Sequence, residues 1–207
     1  MAKTKRIILM TVQYTNRKSR TYYLHQGKTK KGNPRYYFSM KGDSNLVEEL
    51  PDGYEIHEHP VNAQVFLRKK QARIITDIEK HLIGKHLGKL KSSRRYVFDI
   101  KGKVITIFES DQDVGDLREL FNEVSYPGSW HAQFTVDSFI DCNIGYFPVM
   151  RVTLDDETKR TFVIERYSFR GSIEDWIYID GPDALDDLLD SYSKHLGKES
   201  FYDLYGL

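Results

Sequence analysis

The sequence predicts an α+β protein in which antiparallel β-hairpins are combined with about three helices, in one domain or two subdomains. Three observations favour this class. Short stretches rich in aromatic and β-branched residues recur between turn signals such as Asn33-Pro34 and Asp52-Gly53. Helical spacing of apolar residues interrupts these stretches only three times. No strand–helix–strand succession supports a parallel nucleotide-binding sheet.

The first seventy residues carry mainly strand signals. We predict strands over residues 6–14, 21–25, 35–40, 54–58 and 64–68, paired as consecutive hairpins. The apolar spacing then becomes helical over residues 71–87, where lysines such as Lys80 and Lys85 are typical of a solvated helix face.

A further hairpin is predicted over residues 96–100 and 104–109. It is followed by a short acidic helix over residues 114–123, for which Asp111 or Asp113 is a suitable N-cap. The break Ser-Tyr-Pro-Gly-Ser at residues 125–129 is the best candidate for a domain boundary.

Beyond the break we predict strands over residues 133–140, 147–154 and 161–169, whereas residues 174–180 are ambiguous. A closing amphipathic helix is expected over residues 182–196, because Pro182 suits a first turn and Gly197 suits a C-terminal stop. The break thus separates a basic, β-rich subdomain (1–125) from an acidic α+β subdomain (126–207).

The net charge of +1 conceals a strong asymmetry along the chain. Residues 1–103 contain 23 Lys and Arg against 9 Asp and Glu, a balance of +14. Residues 104–207 contain 8 against 21, a balance of −13. The first 42 residues contain 11 basic residues and no acidic one. Such asymmetry indicates a basic surface for a polyanion and a separate acidic surface.

The candidate nucleic-acid contacts are therefore basic and aromatic residues of the N-terminal half. Cations neutralise phosphates, and aromatic rings stack on unpaired bases. The candidate cations are Arg17, Lys18, Arg20, Lys28, Lys30, Lys31, Arg35, Lys69 and Lys70, and the candidate stacking residues are Tyr36 and Tyr37. The same residue types also suit a sheet core and ordinary solvated loops. We expect a non-enzymatic protein or accessory subunit that binds DNA or RNA.

Two alternative functions remain open at this point. The charge asymmetry also suits a protein–protein module that self-associates or binds a basic protein through its acidic half, or an acidic half that masks the basic one. Carboxylates of the second half, such as Glu165 and Asp175, could instead serve a metal-dependent phosphodiesterase or nuclease if they converged.

Other motifs give weaker signals. Gly27-Lys28-Thr29 matches the end of a phosphate-binding loop, but Tyr22 stands where the first glycine is needed. His57 and His59 have metal-compatible spacing without an evident third ligand, and Cys142 suits a small buried hydrophobe. We predict no catalytic residues, no metal and no cofactor. One cysteine and the lack of a ~20-residue apolar run favour a cytoplasmic protein without a membrane partner.

Overall fold

A computed structural model describes residues 11–90, 95–129, 135–170 and 173–204. Within these ranges it has ten antiparallel strands in three sheets and four α-helices, which confirms the α+β class. The chain divides into two compact units. Unit 1 comprises Met1–His59, Ala63–Lys70 and Asp137–Cys142, and unit 2 comprises Pro60–Asn62, Gln71–Val136 and Asn143–Leu207. The subdomain boundary at residues 125–129 stays a prediction.

Unit 1 is built from a three-stranded sheet and a separate hairpin. The sheet has the order β1-β2-β3, with β1 at Gln13–Thr15, β2 at Thr21–Lys28 and β3 at Pro34–Ser39. The hairpin pairs β4 (Tyr54–Glu58) with β5 (Val65–Lys69). These hairpins were predicted, although the residues of the first predicted strand before residue 11 lie outside the described ranges.

One face of the three-stranded sheet packs against the β4–β5 hairpin. Tyr14, Leu24 and Tyr36 share one face, as the strand register shows. The β4–β5 hairpin covers that face: the Tyr14 hydroxyl donates to Glu58 at 3.2 Å, and the Tyr36 ring lies 6.3 Å from the Tyr54 ring. Leu24, on the same face, is fully buried.

Unit 2 contains a five-stranded antiparallel sheet in the order β10-β9-β8-β7-β6. Its strands are β6 (Tyr96–Lys101), β7 (Val104–Ser110), β8 (Tyr146–Asp156), β9 (Thr161–Arg170) and β10 (Ile173–Ala184). The α-helices of the chain are α1 (Asp77–Gly88), α2 (Val114–Val124), α3 (Val136–Asn143) and α4 (Leu185–Tyr192). The sheet includes strands from both sides of residues 125–129.

One face of the five-stranded sheet packs against α1 and α4. Ile83 of α1 and Leu189 of α4 are fully buried in one apolar cluster with sheet residues such as Ile105 and Val152. Two polar links add to this packing. The His86 ring bonds to the Asp186 carboxylate at 2.7 Å, and Arg160 binds Glu79 at the start of α1.

The helix predicted over residues 71–87 begins only at Asp77, because Thr76 caps it. Two further predictions of secondary structure were wrong. Residues 136–143 form α3 rather than the end of a strand, because Phe139 and Ile140 are buried on one helical face. The closing helix begins at Leu185, because Asp183 and Ala184 pair with β9 and extend β10 past Pro182. The predicted N-cap Asp113 of α2 is confirmed, since its carboxylate accepts from the Gly115 amide.

Candidate nucleic-acid interface

The β2–β3 hairpin carries the most exposed group of predicted contact residues. Its turn is closed by backbone hydrogen bonds from Thr29 to Asn33 at 2.8 Å and from Gly32 to Thr29 at 2.9 Å. Gly32 has a φ of 82°, which glycine adopts without strain. The side chains at this tip are all exposed, and among the described residues none forms an ion pair: Lys28, Lys30, Lys31 and Arg35.

A second pair of cations lies at the same end of unit 1. Lys69 ends β5 opposite Tyr54, whose ring lies next to Tyr36, close to the hairpin tip. Lys70 follows, and its amide bonds to Gly53 at 2.8 Å. Both lysines are exposed. The exposed Asp52 adjoins Gly53, so the local charge there is less positive than at the tip.

The remaining cations lie at the opposite end of the sheet. Arg17, Lys18 and Arg20 belong to the β1–β2 turn, which the buried Asn16 holds by accepting from the Arg20 amide at 2.9 Å. The eight residues of β2 separate this turn from the hairpin tip. At ~3.3 Å per residue, the two groups are roughly 23 Å apart. One short stretch of phosphates would not contact both.

Arg17 is already engaged by a carboxylate within unit 1. Its guanidinium bonds to Glu58 at 3.0 Å and to the His59 carbonyl at 3.3 Å, and both members of the ion pair are mostly buried, with side-chain exposures of 19% and 14%. Burial raises the pKa of Tyr14, and the adjacent Glu58 carboxylate raises it further. Arg17 therefore joins the sheet to the hairpin, and its charge is largely neutralised.

The two predicted stacking residues point to opposite faces of the sheet. Tyr36 is half-buried against Tyr54, whereas Tyr37 is 43% exposed. Adjacent residues of a β-strand point to opposite faces of the sheet. The bases of one nucleic-acid strand could therefore stack on Tyr37, but not on Tyr36 and Tyr37 together. Tyr37 is stacked on the His25 ring, with centroids 5.2 Å apart and planes 11° from parallel. This contact holds the tyrosine ring in place.

His25 was not predicted to have a partner, yet it fixes the loop beside the hairpin. Its Nδ1 lies 2.7 Å from the Ser44 carbonyl and its Nε2 lies 2.8 Å from the Lys41 carbonyl. Carbonyl oxygens only accept, so the His25 ring is the donor where it bonds to this loop. The His25 ring is buried and stacks against the face of the Tyr37 ring. Neither loop partner could be identified from spacing in the sequence.

A shallow cleft adjoins the hairpin tip. It has a volume of about 490 Å³ and is lined by Gln26, Gly27, Lys28, Asn45 and Leu46. The loop side of the cleft is fixed, because the Gln26 amide bonds to Asn45 at 2.9 Å. The Tyr37 ring passes next to Gly27: its Cε1 would be in ordinary van der Waals contact, at 3.5 Å, with a Cβ at that position. The cleft therefore places Lys28 beside the fixed loop, whereas Arg35 shares the sheet face of Tyr37.

The chain shows no detectable similarity to known proteins. No family, no curated protein and no solved structure matches it. The assignment of function therefore depends on the geometry described above.

The other sequence motifs lead to no assembled site. Thr29 is followed by a turn and β3 instead of the helix that a phosphate-binding loop needs. Within the described ranges, no three His, Cys, Asp or Glu side chains are grouped to hold a metal ion. Cys142 lies 3.8 Å from the Ser19 hydroxyl. No helix in the described ranges is both long and apolar enough to cross a membrane.

The carboxylates named for a phosphodiesterase do not converge. Glu165 pairs with Tyr178 across the β9–β10 ladder, whereas Asp175 pairs with Ser168. Ser168 is three positions from Glu165, so the two carboxylates are on opposite faces and roughly 10 Å apart along the strand. Glu165 is also bound by the Arg151 guanidinium, at 2.7 Å through Nη2. This pair cannot bind one metal ion. The protein–protein alternative stays a prediction.

Proposed function

We propose that unit 1 binds the phosphate backbone of a nucleic acid, DNA or RNA, at the end that carries the β2–β3 hairpin tip. One observation supports this proposal above the others. Four exposed cations occupy the tip, two more lie at the same end, and none of the six forms an ion pair among the described residues. Cations without a carboxylate partner keep their full charge for phosphates.

The exposed Tyr37 ring supports a preference for single strands. An aromatic ring on a sheet surface stacks on an unpaired base, whereas the bases of a duplex are already stacked. His25 beneath the ring reduces the entropy that ordering Tyr37 would cost on binding. Unit 1 would thus use lysines for affinity and one tyrosine for a base, without reading sequence. We place this activity in the cytoplasm.

A fluorescence-anisotropy titration tests the proposal. Single strands and duplexes of about 16 nucleotides would be compared at about 50 and about 200 mM salt. We expect binding to single strands that weakens steeply with salt. The triple variant K28Q/K30Q/K31Q should lower the affinity and flatten the slope of log K against log[salt] by about 2, because each lost single-strand phosphate contact accounts for about 0.7.

A matched control separates the hairpin tip from overall charge. Lys159, Lys194 and Lys198 are exposed in unit 2, so K159Q/K194Q/K198Q removes the same charge elsewhere. The control should bind like the wild type. Equal losses in both triple variants, or no binding by the wild type at low salt, would refute the proposal.

A further inference from the structure

Unit 2 contains a second cationic cleft, on the exposed side of α1. It has a volume of about 630 Å³ and is lined by Asp77, Lys80, His81, Gly84, Lys85 and Phe98. Five of these residues belong to α1, and Phe98 comes from β6 of the same unit. The sequence pattern predicts only a solvated helix face here. The structure adds a shallow, open depression with the half-buried Phe98 at its apolar side.

Gly84 is the least expected residue in this cleft. It lies inside the twelve-residue helix α1, where glycine is less stable than alanine because its backbone is freer in the unfolded chain. Its φ is not in the left-handed region, and a Cβ built on it would meet no atom within 4 Å. Neither backbone conformation nor packing among the described residues therefore requires glycine. A ligand that approaches the helix backbone closely would require it.

The charges around Gly84 favour an anion. Lys80 is one turn before Gly84, and Lys85 follows it, so both exposed ammonium groups flank the bare backbone. Asp77 lies at the edge of the cleft, where Arg73 is 3.7 Å from its carboxylate. Asp186 is bonded to His86, and its pKa is lowered by that bond and further by the charges of Lys85 and Lys89, so Asp186 offsets part of the Lys85 charge. The centre of the cleft therefore carries net positive charge.

We infer that this cleft binds a small phosphorylated ligand, whose phosphate lies over Gly84 between Lys80 and Lys85 and whose apolar part lies on Phe98. The site is independent of the nucleic-acid surface proposed for unit 1. Its size suits a nucleoside monophosphate or a comparable aryl phosphate. Because the cleft is open to solvent, we expect weak, reversible binding.

Amide chemical shifts in a ¹⁵N-labelled chain would test the site. Inorganic phosphate, phenyl phosphate and AMP would be titrated separately. We expect the largest shifts at Gly84 and Lys85, with phenyl phosphate and AMP binding more tightly than inorganic phosphate because of Phe98. If none of the three probes shifts the amides of α1, the proposal is refuted.

Paired variants on the same helix sharpen the test. G84A should raise the thermal midpoint and weaken AMP binding, because the new methyl group stabilises the helix and fills the cleft. Gly88 also faces open space but does not line the cleft, so G88A should bind AMP like the wild type. If G84A binds as tightly as G88A, close approach to the helix is disproved.

The lysines have a control of the same kind. K80Q and K85Q should each weaken AMP binding about two- to fivefold, as expected for solvent-exposed ion pairs. K89Q removes a lysine from the same helix end, outside the cleft, and should have no effect. Equal effects of all three would refute the specific site.

A single-stranded oligonucleotide should leave the α1 amides unchanged. Shifts with the oligonucleotide but not with AMP would overturn a small-ligand site.

Discussion

Glu79 is the residue whose replacement tests the architecture of unit 2 most directly, since it fixes the start of α1. Its carboxylate accepts from the Thr76 amide at 2.7 Å and from the Thr76 hydroxyl at 2.9 Å, which completes a capping box. It also accepts from Arg160 Nε at 2.9 Å and Nη2 at 2.6 Å. Arg160 lies 81 residues away, in the turn between β8 and β9.

The expected loss of stability follows from these contacts. Removing the N3 carboxylate of the capping box costs about 1 kcal/mol. The ion pair lies between the surface and buried limits, because the side chain of Glu79 is 12% exposed and that of Arg160 is 34% exposed. We assign it about 1–2 kcal/mol, between the values typical of exposed and of fully buried pairs. Glu79→Ala should therefore lower the free energy of unfolding by about 2–3 kcal/mol.

Glu79→Gln separates the two contributions. The amide oxygen still accepts from the Thr76 backbone, so only the ion pair is lost, and we expect about half the effect of Glu79→Ala. Urea unfolding followed by circular dichroism and tryptophan fluorescence would measure both variants. A double-mutant cycle with Arg160→Gln should give a coupling energy of about 1 kcal/mol or more. A coupling near zero, or a glutamine variant as stable as the wild type, would refute this account.

The pH dependence of the same pair has a definite sign. Burial alone would raise the pKa of Glu79, but the hydrogen bonds from Arg160 and Thr76 outweigh burial and lower it from 4.5. The stabilisation is therefore complete above about pH 4.5 and is lost as pH falls through the lowered pKa of the folded state. The difference in free energy of unfolding between wild type and Glu79→Gln should be constant from neutral pH down to about pH 4.5. At lower pH this difference should become smaller.

Three further predictions concern other parts of the chain. Asn16→Ala should destabilise unit 1 by about 1–3 kcal/mol in urea unfolding, because the buried amide also donates to the Ala63 carbonyl at 2.8 Å. Arg17→Gln should reduce oligonucleotide affinity less than Lys28→Gln in anisotropy titrations, since Arg17 is already paired. Gly181→Ala should lower the thermal midpoint strongly, because φ is 121° and a Cβ would lie 2.6 Å from a backbone oxygen.

The hairpins were predictable because their determinants are local. The strand over residues 54–58 was predicted with the bounds that the structure gives, between the Pro-Asp-Gly turn and the next break. Turn residues and two-residue alternation act over a few positions, so they can be identified in a single sequence. The α+β class follows from such local signals.

The errors at residues 136–143 and 183–184 arose where tertiary contacts decided the structure. Residues 183 and 184 belong to β10 because they pair with β9. This pairing outweighs the preference of Pro182 for a first helical turn. Residues 136–143 are a helix of only eight residues, too short for its periodicity to be distinguished from a strand. Both choices depend on parts of the chain that are distant in sequence.

The candidate site shows the same division between local and distant information. Exposure of the cations at the hairpin tip follows from a turn sequence that contains no acidic residue. The neutralisation of Arg17 depends on Glu58, 41 residues away, and no spacing rule predicts that pair. The opposite faces of Tyr36 and Tyr37 follow from alternation in the predicted strand, but only the structure shows that Tyr36 is the covered one.

Charge pairing within unit 1 explains why the hairpin tip, rather than the whole basic segment, is the place to look for a polyanion. The two carboxylates of β4 are both taken: Glu58 by Arg17 at 3.0 Å and Glu55 by Arg68 at 2.6 Å. Each of these pairs links two separate elements of unit 1, and the opposite charges within each pair largely cancel. Six cations without a carboxylate partner among the described residues lie at the tip end, roughly 23 Å from Arg17 along β2, whereas Lys18 and Arg20 lie beside Arg17. Beyond a screening length of about 8 Å, charges at the far end add little to binding at the tip. An excess of cations in the sequence therefore becomes a local anion site only where the fold has left it unpaired.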